Sequence, residues 1–330
     1  MFLISLQDNK VFAILGSGFG LYGYLPALVE GCGQAIVLPE RYRSSFHARH
    51  ELKLFSSAVR WVPDETAALG SADGAVLALR PMDQEFWLDD CIGKTNLKFL
   101  ILEKPLARTP ERAQSVLDAL LLSGKTFRIG YLFRFTAWGQ QLLSTLGTRS
   151  YSGKLFIQWT FCAHHYQKDL SNWKRFVSMG GGAIRFFGIH VIALLAELGY
   201  GFVVMSRTFG TSKDEIERWS ATVTGPGLPV CELIIDIRST IEIFKVKCSR
   251  GVNEKPDICE CLSSPLDSNK LPEANLLAGL DSRTLVLSQL CDTLQDVGDN
   301  EFVWYQQTLD LWLSVESKSD FEFVRSDHQT

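Results

Sequence analysis

Short apolar runs and helical stripes alternate along the first 130 residues. Val11-Phe12-Ala13-Ile14-Leu15 is an unbroken apolar run that ends in glycines, the pattern of a strand buried on both faces of a parallel sheet. A helical stripe follows through Leu21, Leu25, Leu28 and Val29, then a second short run at 34–38. Residues 74–79 form another, stopped by Arg80-Pro81, and residues 99–102 the next, stopped by Glu103-Lys104-Pro105. Thr109 and Pro110 mark the start of a helix whose Ala113, Val116, Leu117, Leu120 and Leu121 share one face, and Gly124 closes it. Residues 127–131 make a further strand. Strands separated by helices predict parallel βαβ units in a doubly wound sheet.

After about residue 150 the pattern changes. Strand-like runs at 154–163, 202–209, 218–224, 229–238 and 240–248 follow one another, with a hairpin signal at Gly225-Pro226-Gly227. One long helical stretch, 180–198, interrupts them. This order predicts a mostly antiparallel α+β domain. Residues 250–275, with Pro256, Pro265 and Pro272, read as a loop, and helices are expected near 281–295 and 300–316.

Composition narrows the class. The 330 residues are 46% hydrophobic and 21% charged, which excludes disordered and fibrous chains. A net charge of −4 gives no basic footprint for nucleic acid. No apolar stretch has the length of a membrane span, and the N-terminus lacks a secretory pattern. The eight cysteines are scattered without metal-ligand or redox spacing, so reduced thiols in the cytoplasm are expected. His164-His165, read as strand neighbours, point to opposite faces and make a poor metal pair.

Candidate chemistry sits at strand ends. Gly16-Ser17-Gly18-Phe19-Gly20 follows the first strand and opens the first helix, where free amides and the helix dipole favour a pyrophosphate. Leu21 stands where the fingerprint has its third glycine, with Gly20 beside it. The second strand ends in Glu40, Arg41 and Arg43. Glu40 suits the ribose hydroxyls of NAD, and the two arginines suit the 2′-phosphate of NADP, which tilts the choice slightly to NADP. Arg80, Pro81, Glu103 and Lys104 end other strands of the same sheet and join the cofactor candidates, because ligands bind outside carboxyl ends of parallel strands. A lysine at Lys104 can also stabilise charge on a reacting oxygen.

With Glu103-Lys104-Pro105 and the glycine turn, the order Trp173-Lys174, Gly180-Gly181-Gly182-Ala183-Ile184 and Gly188-Ile189-His190 resembles the glucose–fructose oxidoreductase / inositol dehydrogenase (Gfo/Idh/MocA) family. Leu25-Pro26-Ala27-Leu28, Gly130-Tyr131 and Arg134-Phe135 extend the resemblance over nearly the whole chain. It implies a Rossmann domain over 1–130 and a substrate-binding and oligomerisation domain over 131–330, built on an open antiparallel sheet. It further implies NAD or NADP as cofactor, hydride transfer to or from a sugar or sugar-derived alcohol or ketone, and a homodimer or homotetramer joined through that sheet.

Lys104 would then stabilise the substrate oxygen and His190 would move its proton. Arg134, Trp173 and Lys174 become substrate contacts. The family commonly has Asp four residues before this histidine and another three residues after it. Here those positions are Phe186 and Ala193, so no carboxylate on the His190 helix face supports its basicity or fixes its tautomer. The family's frequent histidine after the fourth strand is also lost, with Glu85 near its position. These departures keep two alternatives open: a cofactor-binding regulatory protein without turnover, and a reductase of an imine or conjugated double bond.

Overall fold

Val11–Leu15 (β1) lies at the centre of a six-stranded sheet, and its residues from Phe12 to Leu15 are buried, as an apolar run without alternation requires. The computed structural model describes residues 10–147, 153–249, 258–266 and 279–324. The other strands are Ala35–Pro39 (β2), Val59–Val62 (β3), Gly74–Leu77 (β4), Phe99–Leu102 (β5) and Thr126–Ile129 (β6). All neighbours are parallel, in the order β3-β2-β1-β4-β5-β6. This is the doubly wound dinucleotide-binding order, with its switch point between β1 and β4. Helix Pro110–Leu122 forms where its Thr109 cap and first-turn proline place it, and Thr109 Oγ1 accepts from the Arg112 N–H at 3.2 Å.

Backbone contacts group the chain into two units. The first holds the described residues of Met1–Glu103, Leu120–Gly130 and Leu271–Val297. Its last portion is helix Thr284–Asp292, which packs on the first helical segment after β1. Arg283 lies over the Phe19 ring at 4.2 Å, and Ser288 Oγ donates to the Ala27 carbonyl. Two guanidinium bonds from the buried Arg128 reach Thr293 O, the shorter 2.6 Å.

The second unit holds the described residues of Lys104–Ala119, Tyr131–Lys270 and Gly298–Thr330. Its strands are Lys154–Cys162 (β7), Phe202–Ser212 (β8), Glu215–Thr224 (β9), Val230–Asp236 (β10), Arg238–Ser249 (β11), Ile258–Leu262 (β12) and Ser319–Phe323 (β13). They form one sheet in the order β12-β11-β7-β10-β9-β8-β13. It is antiparallel except for the β7/β10 and β8/β13 pairs. Helix Ile189–Leu198 buries every residue from Ile189 to Ala196. A helix apolar all round needs cover on more than one side. Helix Asp299–Ser317 supplies part of it, with Trp304 Nε1 donating to the Ala193 carbonyl at 2.7 Å.

Several expectations need correction. The loop at 250–275 contains strand β12 at Ile258–Leu262, where alternating Cys and Glu side chains pair with β11; residues 250–257 and 267–275 lie outside the described residues. β7 stops at Cys162, and His164–Gln167 form one helical turn, so His164 and His165 are not strand neighbours. The stretch at 180–198 becomes helical only at Ala183, because Gly180 and Gly182 take positive φ.

Candidate functional site

The carboxyl ends of β1 and β4 meet where the Ala78 N–H donates to the Leu15 carbonyl at 2.8 Å. Gly16 turns the chain there with φ +129°, and a Cβ on it would stand 2.2 Å from the Ala78 oxygen. No other residue fits. Its N–H donates to Tyr42 Oη at 3.2 Å. A Cβ on Gly18 would meet nothing within 4 Å, because Gly18 faces an open cleft of about 430 Å³. Ser17, Arg41, Leu79 and Arg80 also line that cleft. The N–H groups of Leu21 and Tyr22 close onto Gly18 O and begin the helix. Phe19 turns its ring inward onto Tyr22 and Tyr24. Gly20 lies so near Ile14 that a Cβ would fall 2.8 Å from Cγ2, so it provides the close helix–strand approach expected of the third fingerprint glycine.

The charges around this turn are paired. Arg43 clamps Glu40 with two bonds of 2.7 Å and covers the Trp61 ring. Those hydrogen bonds hold the Glu40 carboxyl below its ordinary range. Arg41 pairs with the buried Glu65 and bonds to Tyr42 Oη, yet much of its side chain is exposed on the cleft wall. Arg80 pairs with Asp83 at 2.8 Å, and Pro81 behind it is buried as the first residue of helix Pro81–Gly93. The open glycine backbone with Arg41 and Arg80 beside it can receive a phosphorylated ligand.

At the end of β5, Glu103 is held from two sides. Its Oε1 accepts from Tyr24 Oη at 2.7 Å. Gln84, 1% exposed, exchanges two bonds with the Glu103 backbone. Burial, then the Glu103 charge, pushes the Tyr24 phenol well up, so it stays protonated and donates. The chain passes from the first unit to the second between Glu103 and Lys104.

Lys104 meets Phe186. Its Nζ donates to the Phe186 carbonyl at 2.7 Å and lies 3.7 Å from the centre of the Phe186 ring. Lys174 Nζ approaches the same ring at 5.0 Å, and Trp173 packs edge-on against it at 5.2 Å. Lys104, Trp173, Lys174 and Phe186 are thus brought together. Aromatic faces attract ammonium groups, so the ring partly fills the place of a carboxylate. Gly181 makes the approach possible: a Cβ there would fall 2.4 Å from Trp173 O and 2.5 Å from Lys174 O.

His190 is 7% exposed, stacks on Phe133 at 4.9 Å, and accepts a hydrogen bond at Nδ1 from the Leu132 N–H. An accepting Nδ1 leaves the ring proton on Nε2. The tautomer is thus fixed by main chain from outside the His190 helix, whose own face offers no carboxylate. Arg134 pairs with Glu197 and Glu301, each at 2.8 Å, over the Trp304 ring at 4.3 Å. Ala193 is fully buried in the helix core.

Sequence reasoning missed Tyr24, Tyr42 and Gln84, and it weighed His165 only as half of a metal pair. The first three act through side-chain bonds to residues 19 to 79 positions away, which no local pattern announces. His165 is buried, faces Phe187 at 6.2 Å, and its Nε2 has no hydrogen-bond partner. Burial, aided by Lys174, Arg175 and His164, lowers its pKa to about 4. Among the described residues no group of three His, Cys, Asp or Glu side chains is arranged to hold a metal ion.

No protein-family model matches the sequence, and no curated protein matches it. Solved structures do resemble its fold. KijD10, a 3-ketoreductase from Actinomadura kijaniata in complex with NADP and TDP-benzene, has a TM-score of 0.69 at 13% identity, over 96% of this chain and 100% of its own. The WlbA dehydrogenase from Bordetella pertussis, in complex with NADH and UDP-GlcNAcA, has a TM-score of 0.64 at 16% identity, over 95% and 97%. A super-repressor mutant of Gal80p from Saccharomyces cerevisiae has a TM-score of 0.66 at 13% identity, over 95% and 97%. At these identities the likeness is one of fold: a parallel dinucleotide-binding sheet followed by a mixed, mostly antiparallel one.

Proposed function

We propose that this chain is an NAD(P)-dependent oxidoreductase of the Gfo/Idh/MocA type, acting on a sugar or sugar-derived alcohol or ketone, with NADP as the preferred cofactor. The observation that carries the reading is the Gly16–Gly18 turn at the sheet's switch point, open where a Cβ on Gly18 would enter the cleft. Most of the 1–130 segment serves the nucleotide and most of 131–330 the substrate, with Lys104 acting on the substrate and helix Thr284–Asp292 backing the first unit. KijD10, a 3-ketoreductase in complex with NADP, and WlbA, a dehydrogenase in complex with NADH, share the fold, which supports this class.

The bound nicotinamide supplies hydride chemistry. The chain's own residues do the rest. Backbone amides at the glycine turn would hold a pyrophosphate and Arg41 on the cleft wall a 2′-phosphate, while Arg43 neutralises the charge of Glu40. Lys104 donates to the substrate oxygen and stabilises its negative charge. His190, with its proton on Nε2, donates or recovers a proton there. Trp173 and Lys174 line the substrate beside the Phe186 ring.

Assembly through the open face of the second sheet accompanies this reading. Val204 on β8 is 65% exposed and Ile241 on β11 is 60% exposed, whereas Ile237 and Phe244 are fully buried. A homodimer or homotetramer would cover such residues. The eight free thiols suit a reducing cytoplasm.

A second reading, a cofactor-binding regulator without turnover, draws on Phe186 in place of the carboxylate and on the fold likeness to Gal80p. Calorimetry with NADP+ and NADH, followed by turnover over sugar, nucleotide-sugar and imine panels, separates the two. Tight binding with no turnover on any panel favours the regulator, and absence of binding removes both.

A further inference from the structure

One guanidinium joins the segments that carry the lysines. Arg185, beside Phe186, donates from Nε and Nη2 to the two oxygens of Glu316 at 2.7 and 2.6 Å. Its Nη1 donates to two carbonyls, Arg108 O at 2.7 Å and Val177 O at 2.8 Å. Glu316 is itself fixed by Trp312 Nε1 at 2.7 Å. The Arg185 side chain is 11% exposed; its bonds to Glu316 and Val177 are partly buried, and the one to Arg108 O lies at the surface.

The topology gives these contacts meaning. Arg108 lies four residues after Lys104, on the segment that leads into helix Pro110–Leu122. Lys104 Nζ in turn reaches the carbonyl of Phe186, the neighbour of Arg185. Residues 104–108 and 185–186 are therefore joined by two crossing bonds, one donated from each segment. Val177 belongs to the turn that follows Trp173 and Lys174, so the same group also ties down that segment. A forked, planar cation with four directed bonds sets distances that a lysine at the same place could not.

We infer that Arg185 is the positioning residue for Lys104: it touches no reacting atom, but it holds the Lys104 segment and the Trp173–Lys174 segment in register with Phe186, with Glu316 fixing the guanidinium. The catalytic meaning of this placement rests on the proposed role of Lys104 at the substrate oxygen.

The test reads Lys104 directly and needs no substrate. The full-length protein is treated with a limiting amount of acetic anhydride near pH 8, and acetylation of each lysine is followed by peptide mass spectrometry. Lys154, an exposed lysine on β7, is the internal reference. Arg185→Met should raise the rate at Lys104 relative to Lys154 by about tenfold, the scale of a lost charge-assisted hydrogen bond acting on a local opening equilibrium. Arg185→Lys, which keeps the charge but not the fork, should give a smaller rise. An unchanged ratio in a folded Arg185→Met protein overturns the inference, as does an equal rise at both lysines. Should Arg185→Met not fold, Glu316→Gln makes the same comparison, and an unchanged ratio there has the same consequence. A parallel calorimetric titration with NADP+ tests the oxidoreductase reading by itself, and its failure leaves the Lys104 ratio readable.

Discussion

The Leu132 N–H and His190 Nδ1 form a buried hydrogen bond of 3.3 Å, between the turn after β6 and the buried helix Ile189–Leu198. Asparagine can present its side-chain oxygen where Nδ1 lies, but phenylalanine leaves the Leu132 donor unpaired. His190→Phe should therefore unfold at lower urea than His190→Asn, by about 1–3 kcal/mol. Equal stabilities would remove the bond from the account of this histidine. Both variants lose Nε2 as a proton carrier, so both should reduce turnover.

Lys104→Met removes the ammonium from the Phe186 carbonyl and ring while keeping a similar stem. Turnover should fall by roughly 10²-fold or more, the scale of a positioned charge-stabilising group. Cofactor affinity should hardly move, because the proposed phosphate site is the backbone at Gly16–Gly18. Steady-state kinetics with a nucleotide titration check both halves. Phe186→Ala should weaken turnover less, since the carbonyl that Lys104 grips is main chain.

Two neighbouring glycines should behave differently. Gly18→Val meets no protein atom near its Cβ, so the variant should fold with native stability and yet lose nucleotide binding. Gly16→Ala forces a side chain against the Ala78 oxygen at φ +129° and should cost more than about 2 kcal/mol. Thermal melts and calorimetry on the pair give the comparison, and a destabilised Gly18→Val would count against an open cleft.

Cofactor preference should depend on two arginines for different reasons. Arg41→Ala should lower NADP+ affinity about tenfold and leave NADH nearly unchanged, because it removes a cation from the cleft wall. Arg43→Ala should also disfavour NADP+, by freeing the Glu40 charge it clamps. The ratio of the two dissociation constants in each variant is the measurement. A wild-type preference for NADH would reverse the choice of cofactor.

His165 links stability to acid. Its pKa falls from 6.5 to about 4 in the fold, so between those values the unfolded chain binds more protons than the folded one. The contribution is complete above pH 6.5 and is lost as pH drops through 4. It amounts to roughly 2–3 kcal/mol. Lys174, Arg175 and His164 face it with positive charge and Glu215 with negative. His165→Phe should flatten the decline in urea stability between pH 6.5 and 4, and an unchanged slope would show that other groups carry it.

The parts of this architecture legible in the sequence are those with strong periodicity or punctuation. Val11–Leu15 with its glycines, the Thr109-Pro110 start and the Gly225-Pro226-Gly227 hairpin each declare themselves within ten residues. Val59–Val62 escaped because Arg60 and Trp61 break the apolar run on an outer strand. Ser319–Phe323 escaped because its alternation of Asp and Glu with Phe321 and Phe323 is only five residues long, on an edge strand that buries neither ring. At the site, Lys104 and His190 stand out by motif. The Phe186 ring under two ammonium groups does not, since its partners lie 82 and 12 residues away and its type reads as core. Arg134 reads from the motif order as a substrate contact; its ion pairs with Glu197 and Glu301, 63 and 167 residues on, have no local signal.

The return of helix Thr284–Asp292 to the first unit bears on synthesis at the ribosome. The glycine turn leaves the exit tunnel early, but Arg283, which covers Phe19, and Ser288, which packs against Gly31, follow more than 250 residues later. At cellular elongation rates that interval is on the order of tens of seconds. Throughout it the nascent parallel-sheet unit exposes the apolar side of its first helix, without the wall it will later rest on. A chain cut at residue 130 keeps all six parallel strands and lacks that wall, so completion of this unit waits for residues that are translated almost last.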